Sequence, residues 1–297
     1  FMSENGLGPA AFPSLRRMED QVVGFGLSLL NAPLDACGDM TSGGTESILL
    51  AVKTCRDFWR AQGDARRTEI VAAHSAHPAF NKAAEYLGLS VTRVPVAADF
   101  TADTEAMAAA VGDGTMMVVG SAPCFPFGVI DDIEALSELA VARNIWLHVD
   151  ACVGGYFAPF ARMNGANLPP FDFALAGVRS MSADLHKYGY AAKGASTVFY
   201  RSADLRDHQL FRFSDWPTGE MATPTIAGTR PGGAIAAAWA VMHFLGCEGY
   251  REKARVVTDT REKYERGLAA IGGFRFWGRH QLGLLAFGSD EFDIFAV

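Results

Sequence analysis

The stretch 115-TMMVVGSAPCFPFGVIDDIEALSELAVARNIWLHVDA-151 decides the fold. It opens on an unbroken apolar run, Thr115 to Ala122, which reads as a buried strand. It closes on a second, Ile145 to Ala151. Between them "DDIEALSELAVARN" (Asp131 to Asn144) reads as a helix, with two acids in a first turn whose dipole favours them. Two apolar strands joined through a helix imply parallel pairing in a sheet covered on both faces.

The same rhythm extends outward. Upstream, "TEIVAA" (Thr68 to Ala73) and "SVTRVPV" (Ser90 to Val96) read as strands. "HPAFNKAAEYLG" (His77 to Gly88) and "DTEAMAAAVG" (Asp103 to Gly112) read as helices, the second closed by Gly112. Earlier still, Pro13 to Asn31 has helical apolar spacing. "DACGDMTSGGTESILLAVKTCRDFWRAQG" reads as a Gly-rich loop, then a helix from about Thr45 to Ala61. Downstream, "GVRSMSAD" and "ASTVFYR" look like two more strands. They flank "LHKYGYAAKG". A small-residue helix (Gly232 to Gly246) and a charged one (Tyr250 to Gly272) follow. "FRFWG" and "LGLLAFGS" read as strands of a second, smaller unit. The expected class is therefore α/β, a mostly parallel mixed sheet flanked by helices. Three regions are expected: a helical segment over 1–31, a large ligand-binding domain over 32–250, and a linking helix with a partial small domain over 251–297.

Among 297 residues, 49% are hydrophobic and 20% charged, which fits a chain with a large core. A net charge of −7 argues against a nucleic-acid partner or an anionic membrane surface. No apolar run reaches the ~18–20 residues of a membrane span. The five cysteines are scattered without a CxxC pair, so they read as reduced thiols of a cytoplasmic protein, with no metal site. The start at Phe1-Met2 reads as the interior of a longer chain.

Four motifs could carry chemistry. In "TSGGTES" (Thr41 to Ser47), two glycines and a helix start suit phosphate, or simply cap a helix. Asp150 ends an apolar strand, where open α/β sheets bind ligands. It could pair with a protonated ring nitrogen or a metal, or cap the next turn. His148 is expected to face the opposite side of the strand from Asp150's neighbours, without a role. His77 opens a helix, where its ring could stack on a flat cofactor or serve as a cap. In "SADLHKYGYAAKGAS", Lys187 could attack a carbonyl if the positive field of His186 and Lys193 lowers its pKa. Those two could equally be phosphate or surface contacts. Ser182 could reach the same ligand. A phosphate loop, a ring-positioned His, a strand-end Asp and a His-Lys pair, in this order, are what pyridoxal phosphate needs.

The sequence resembles the sphingosine-1-phosphate lyase family, within the group II pyridoxal-phosphate decarboxylases of fold type I. The resemblance runs over nearly the whole chain. It rests on "TSGGTESILLAVK", "HPAFNKAAEYLG", "FPFGVIDDI", "LHVDACVGG", "SADLHKYGYAAKGAS" and "TPTIAGTRPGG". It departs at Phe127, where the family usually has His, and at Pro78, where Ala is common. It implies Lys187 as the Schiff-base lysine, Asp150 on the pyridinium nitrogen and His77 stacked on the ring. Gly44 and Thr45 would hold the phosphate, with His186 and Ser182. Gly228 and Thr229 would complete the phosphate site of the partner in a homodimer with shared active sites. Lys193 would lie near the substrate. The implied reaction cleaves a phosphorylated long-chain β-hydroxy amine to an aldehyde and phosphoethanolamine. An amino-acid decarboxylase and a truncated, non-catalytic homologue are the competing readings. The small unit near Phe274 to Phe287 is expected to be the start of a truncated C-terminal domain, with an open edge that is either poorly ordered or covered by a partner.

Overall fold

A computed structural model describes residues 1, 3–7 and 11–294. In chain order the elements are α1 (Pro13–Leu29), β1 (Cys37–Thr41), α2 (Gly44–Ala61), β2 (Glu69–Ala73), α3 (Ala79–Leu87), β3 (Ser90–Val94), α4 (Thr104–Ala110), β4 (Thr115–Ser121), α5 (Ile133–Arg143) and β5 (Trp146–Asp150). Then come α6 (Ala158–Met163), β6 (Val178–Ala183), β7 (Ser196–Tyr200), α7 (Ala203–Asp207), β8 (Phe211–Phe213), β9 (Met221–Thr223), α8 (Gly232–Ile271), β10 (Phe274–Phe276) and β11 (Phe287–Ser289).

The main sheet has seven strands in the order β1-β7-β6-β5-β4-β2-β3. From β3 across to β6 every neighbouring pair is parallel, and β7 runs antiparallel to both β6 and β1. Two apolar layers cover it. On one face Ile48, Val52 and Phe80 of α2 and α3 pack on Ile70, Val119 and Trp146. On the other, Leu15, Ile133, Leu136 and Ile235 pack on Val71, Val118 and Leu147. Burial on both sides explains why these strands lack the alternation of a half-exposed sheet. Each buried side chain contributes ~1.5–3 kcal/mol, more than the propensity that Met116 and Met117 lack as strand formers.

Helix ends follow local chemistry. Asp103 and Asp132 cap α4 and α5 by accepting from Ala106 N and Ala135 N. Helix α4 stops at Ala110, two residues short of the expected Gly112.

The structure differs from expectation at one further place. Cys37–Thr41 is an edge strand rather than a loop, because it finds its partner in β7, with Cys37 opposite Tyr200. The two helices expected over 232–272 are both present: α8 is two helical stretches interrupted at Gly246, whose φ of 56 and ψ of −174 are not helical. At the chain's end β10 and β11 form a two-stranded hairpin that joins no further strand among the described residues. Phe274 stacks there on Phe292.

Candidate active site

The carboxyl ends of β1, β2, β4, β5 and β6 share one edge, the edge at which open α/β sheets place ligands. Register sets Ser121, Asp150 and Ser182 side by side there. A cleft of about 380 Å³ opens at this edge, and its wall brings together Gly44, Thr45, His77, Asp150, His186 and Lys187. A larger hollow of about 890 Å³ lies elsewhere, walled by carboxylates such as Asp99, Asp103 and Glu134 with Arg279. No lysine or histidine lines it, so it lacks the convergent acid, base and nucleophile of a reaction site.

The start of α2 is held by side chains rather than by a cap on its own amides. Glu46 accepts from Ser42 N at 2.7 Å and from Ser42 Oγ at 2.6 Å. Thr41 Oγ1, Ser47 Oγ and Ser196 Oγ form a chain with steps of 2.7 and 2.9 Å. Gly43 caps the helix without any side-chain bond, so the first-turn amides remain available to an anion. Gly44 must be glycine: a Cβ there would lie 2.8 Å from Cys152 Sγ and 2.9 Å from both oxygens of Asp184.

Asp184, which the sequence reading did not weigh, is the counter-ion of this cleft. Its Oδ2 lies 3.0 Å from Lys187 Nζ and 3.6 Å from His186 Nε2. This overturns the expectation of a lowered Lys187 pKa. Burial does pull the Lys187 ammonium down, but negative neighbours outweigh it and the pKa is raised. We attribute this at neutral pH to Asp184 and Asp150. Cys152 also favours the ammonium, but burial pushes its thiol well above its ordinary range, so it is uncharged there. Lys193 is exposed, does not line the cleft, and donates to His186 O at 3.1 Å.

Asp150 is 8% exposed, and its Oδ1 accepts from Cys152 N at 3.1 Å and Ser182 Oγ at 3.3 Å. Ser182 is fully buried behind it and does not line the cleft. His148 shares the Asp150 face of β5. Residues two apart on a strand share a face, and His148 Nε2 lies 3.2 Å from Ser182 Oγ. His77 does two things at once. Its Nδ1 accepts from Ala79 N at 3.1 Å, capping α3, while the exposed ring borders the cleft. Gly228 and Thr229 stand in the loop before α8. Gly228 lines a separate hollow of about 360 Å³ with Arg230, and neither residue lines the cleft.

Two buried polar atoms beside this cleft, Asp184 Oδ1 and His186 Nδ1, have no hydrogen-bond partner among the described residues. With free helix amides, a strand-end carboxylate, a flat imidazole and a lysine, they suit a flat, anionic aldehyde.

Comparison with known proteins agrees. The profile of the pyridoxal-dependent decarboxylase conserved domain matches residues 2–289. A sphingosine-1-phosphate lyase of Oryza sativa is 46% identical over 100% of this chain, which spans 56% of that relative. The solved sphingosine-1-phosphate lyase of Burkholderia pseudomallei superposes with a TM-score of 0.95 at 41% identity, covering 99% of this chain and 69% of its own. A probable L-tyrosine/L-aspartate decarboxylase of Methanothermobacter thermautotrophicus is 37% identical over 91% of this chain and 73% of its own length. The chain thus spans little more than half the length of its curated lyase relatives, and throughout that span it belongs to the pyridoxal-dependent decarboxylase family, on the branch of the sphingosine-1-phosphate lyases.

Proposed function

We propose that this chain carries the cofactor site of a pyridoxal-phosphate-dependent carbon–carbon lyase. Its substrate would be a phosphorylated long-chain β-hydroxy amine, and its products a fatty aldehyde and phosphoethanolamine. The observation that carries the reading is the convergence of Lys187, Asp150 and His77 on one cleft at the start of α2, in a chain 46% identical to a lyase of that name.

Bound there, pyridoxal phosphate supplies an aldehyde for an amine and a ring that takes up the electron pair of a breaking bond. Lys187 would tether it once its ammonium gives up a proton, with Asp184 as the nearby carboxylate. Asp150 would accept the ring N–H and keep it protonated. His77 would lie against the ring face. Gly44 and Thr45 would donate their amides to the phosphate, with His186 beside them. We place Ser182 behind Asp150 rather than on the phosphate. Lys193, which stands outside the cleft wall, is our candidate to reach the substrate from solvent, where the β-hydroxyl would lose its proton as the Cα–Cβ bond opens. Positioning and charge are the protein's share of the work.

We further propose a homodimer in which Gly228 and Thr229 serve the partner's phosphate. The support is the exposed apolar surface of the preceding segment, Phe211, Phe213, Trp216 and Ile226. No helix among the described residues is long and apolar enough to cross a membrane. All five cysteines are free, and we assign the chain to the cytoplasm.

Incubation with dihydrosphingosine phosphate should release a long-chain aldehyde. The 37% identity to a probable amino-acid decarboxylase keeps a second reading open. Carbon dioxide from aspartate, glutamate or tyrosine, without aldehyde, would establish that one. Neither product, from protein that binds the cofactor, would make the chain a non-catalytic relative.

A further inference from the structure

Beneath Asp150 runs a row of polar side chains that the reaction above does not use. Trp146, His148 and Asp150 alternate along β5 and so share one face. Ser180 and Ser182 stand beside them on β6, with His148 opposite Ser180 and Asp150 opposite Ser182. Trp146, His148, Ser180 and Ser182 are all fully buried. Trp146 Nε1 is 2.7 Å from Ser180 Oγ, and Ser180 Oγ is 2.8 Å from His148 Nδ1. His148 Nε2 is 3.2 Å from Ser182 Oγ, which is 3.3 Å from Asp150 Oδ1.

Donor and acceptor capacity gives this row one direction. An indole N–H only donates, and a carboxylate only accepts. Ser180 accepts from Trp146, so its own proton goes to His148 Nδ1. His148 therefore carries its proton on Nε2 and gives it to Ser182. The Ser182 proton then reaches Asp150 Oδ1. The thiol of Cys152, 3.4 Å from Ser182 Oγ, occupies that oxygen's other lone pair. The reversed tautomer would strand the Ser180 proton in the interior, a costly arrangement. Burial also pushes the His148 pKa down to about 4, with Asp150 opposing, so the ring stays neutral. No donor reaches Asp150 Oδ2 among the described residues.

We propose that His148 is a positioning residue for the carboxylate of Asp150. Its Nε2–H tautomer is set by Trp146 through Ser180. It holds Ser182 as a donor, pins Oδ1 and leaves Oδ2 to receive a ring N–H from the cleft. This rests on the cofactor reading given above.

Two measurements test it. In protein labelled with ¹⁵N-histidine, one ring should show the Nε2–H tautomer and should not titrate between about pH 5.5 and 8. His148→Phe should remove that signal, and Ser180→Ala should release the ring to the other tautomer or a mixture. A wild-type His148 that is Nδ1-protonated, or that titrates in this range, overturns the proposal even if every variant fails to fold. Second, pyridoxal phosphate is titrated into protein stripped of cofactor. His148→Phe and Ser182→Ala should each bind it about tenfold more weakly. Wild-type affinity in both variants overturns the proposal and leaves the cofactor reading intact. Failure of the wild type to bind removes that reading and, with it, the role proposed for Oδ2.

Discussion

Replacing Asp184 with Asn removes the charge that holds Lys187 as an ammonium while nearly keeping the side chain's shape. The two charged atoms are 3.0 Å apart, with the lysine side chain 36% exposed and the aspartate 2%. At an effective dielectric near 20, unit charges ~4 Å apart attract by about 4 kcal/mol. Solvent at the one-third-exposed lysine screens much of this, so we take about 1–2 kcal/mol as the part that is lost. Since 1.4 kcal/mol is a factor of ten, the neutral amine fraction near neutral pH should rise about five- to thirtyfold. Only the neutral amine attacks an aldehyde. The initial rate of covalent attachment should therefore rise by the same factor, and its increase with pH should begin lower. The assay adds pyridoxal, chosen without a phosphate so that altered charge at the start of α2 does not enter. Samples are quenched with borohydride at timed intervals, and the modified peptide is identified by mass. An unchanged or slower rate at Lys187 would refute the counter-ion assignment.

Gly44→Ala pushes a methyl group into Cys152 and Asp184. It should cost about 1–3 kcal/mol in urea unfolding and abolish tight binding in a pyridoxal phosphate titration. Asp150→Ala should lower turnover by about 10²–10³, while borohydride still traps the cofactor on Lys187. Gly246→Ala should cost about 1–3 kcal/mol, because φ 56 with ψ −174 is a conformation open essentially to glycine alone; urea midpoints should fall with cofactor affinity unchanged. Two buried groups should oppose each other between about pH 4 and 6. His148, pushed down to about 4 by burial, binds fewer protons folded than unfolded, so its contribution is lost on acidification. Asp131, raised to about 6 by burial, binds more and so gains. Asp131→Asn should steepen the acid loss of stability measured by urea, and His148→Phe should flatten it.

Much of the fold was legible because its signals are local. Apolar runs bounded by capped helices marked β2 to β7, and the glycine pair marked the start of α2. What escaped depends on partners far along the chain. Cys37–Thr41 has no strand pattern of its own and is a strand only because β7 pairs with it. The short hairpin β8–β9 and the helices α6 and α7 are too brief to leave a period. Asp184 looks like a strand-end cap until the chain brings Gly44 against its carboxylate. The direction of the Lys187 shift has a local cause that spacing alone leaves open: Asp184, three residues before it, turns its carboxylate to within 3.0 Å of the amine. A period of two places His148 beneath Asp150, but its role shows only once Ser180 and Ser182 stand beside it.

The placement of β7 between β1 and β6 has a consequence for how the molecule is made. The loop that would receive phosphate is fastened to its far wall by Ser47 and Ser196, 149 residues apart. Among the described residues, strand β1 has no neighbour in the sheet other than β7. A chain leaving the ribosome can therefore form the β2-to-β5 layer first and fold its helices over it. It cannot shape a cofactor pocket until Ser196–Tyr200 has emerged and slotted into place. Ligand capture during synthesis should thus be a late event, and this strand is the latch on which it waits.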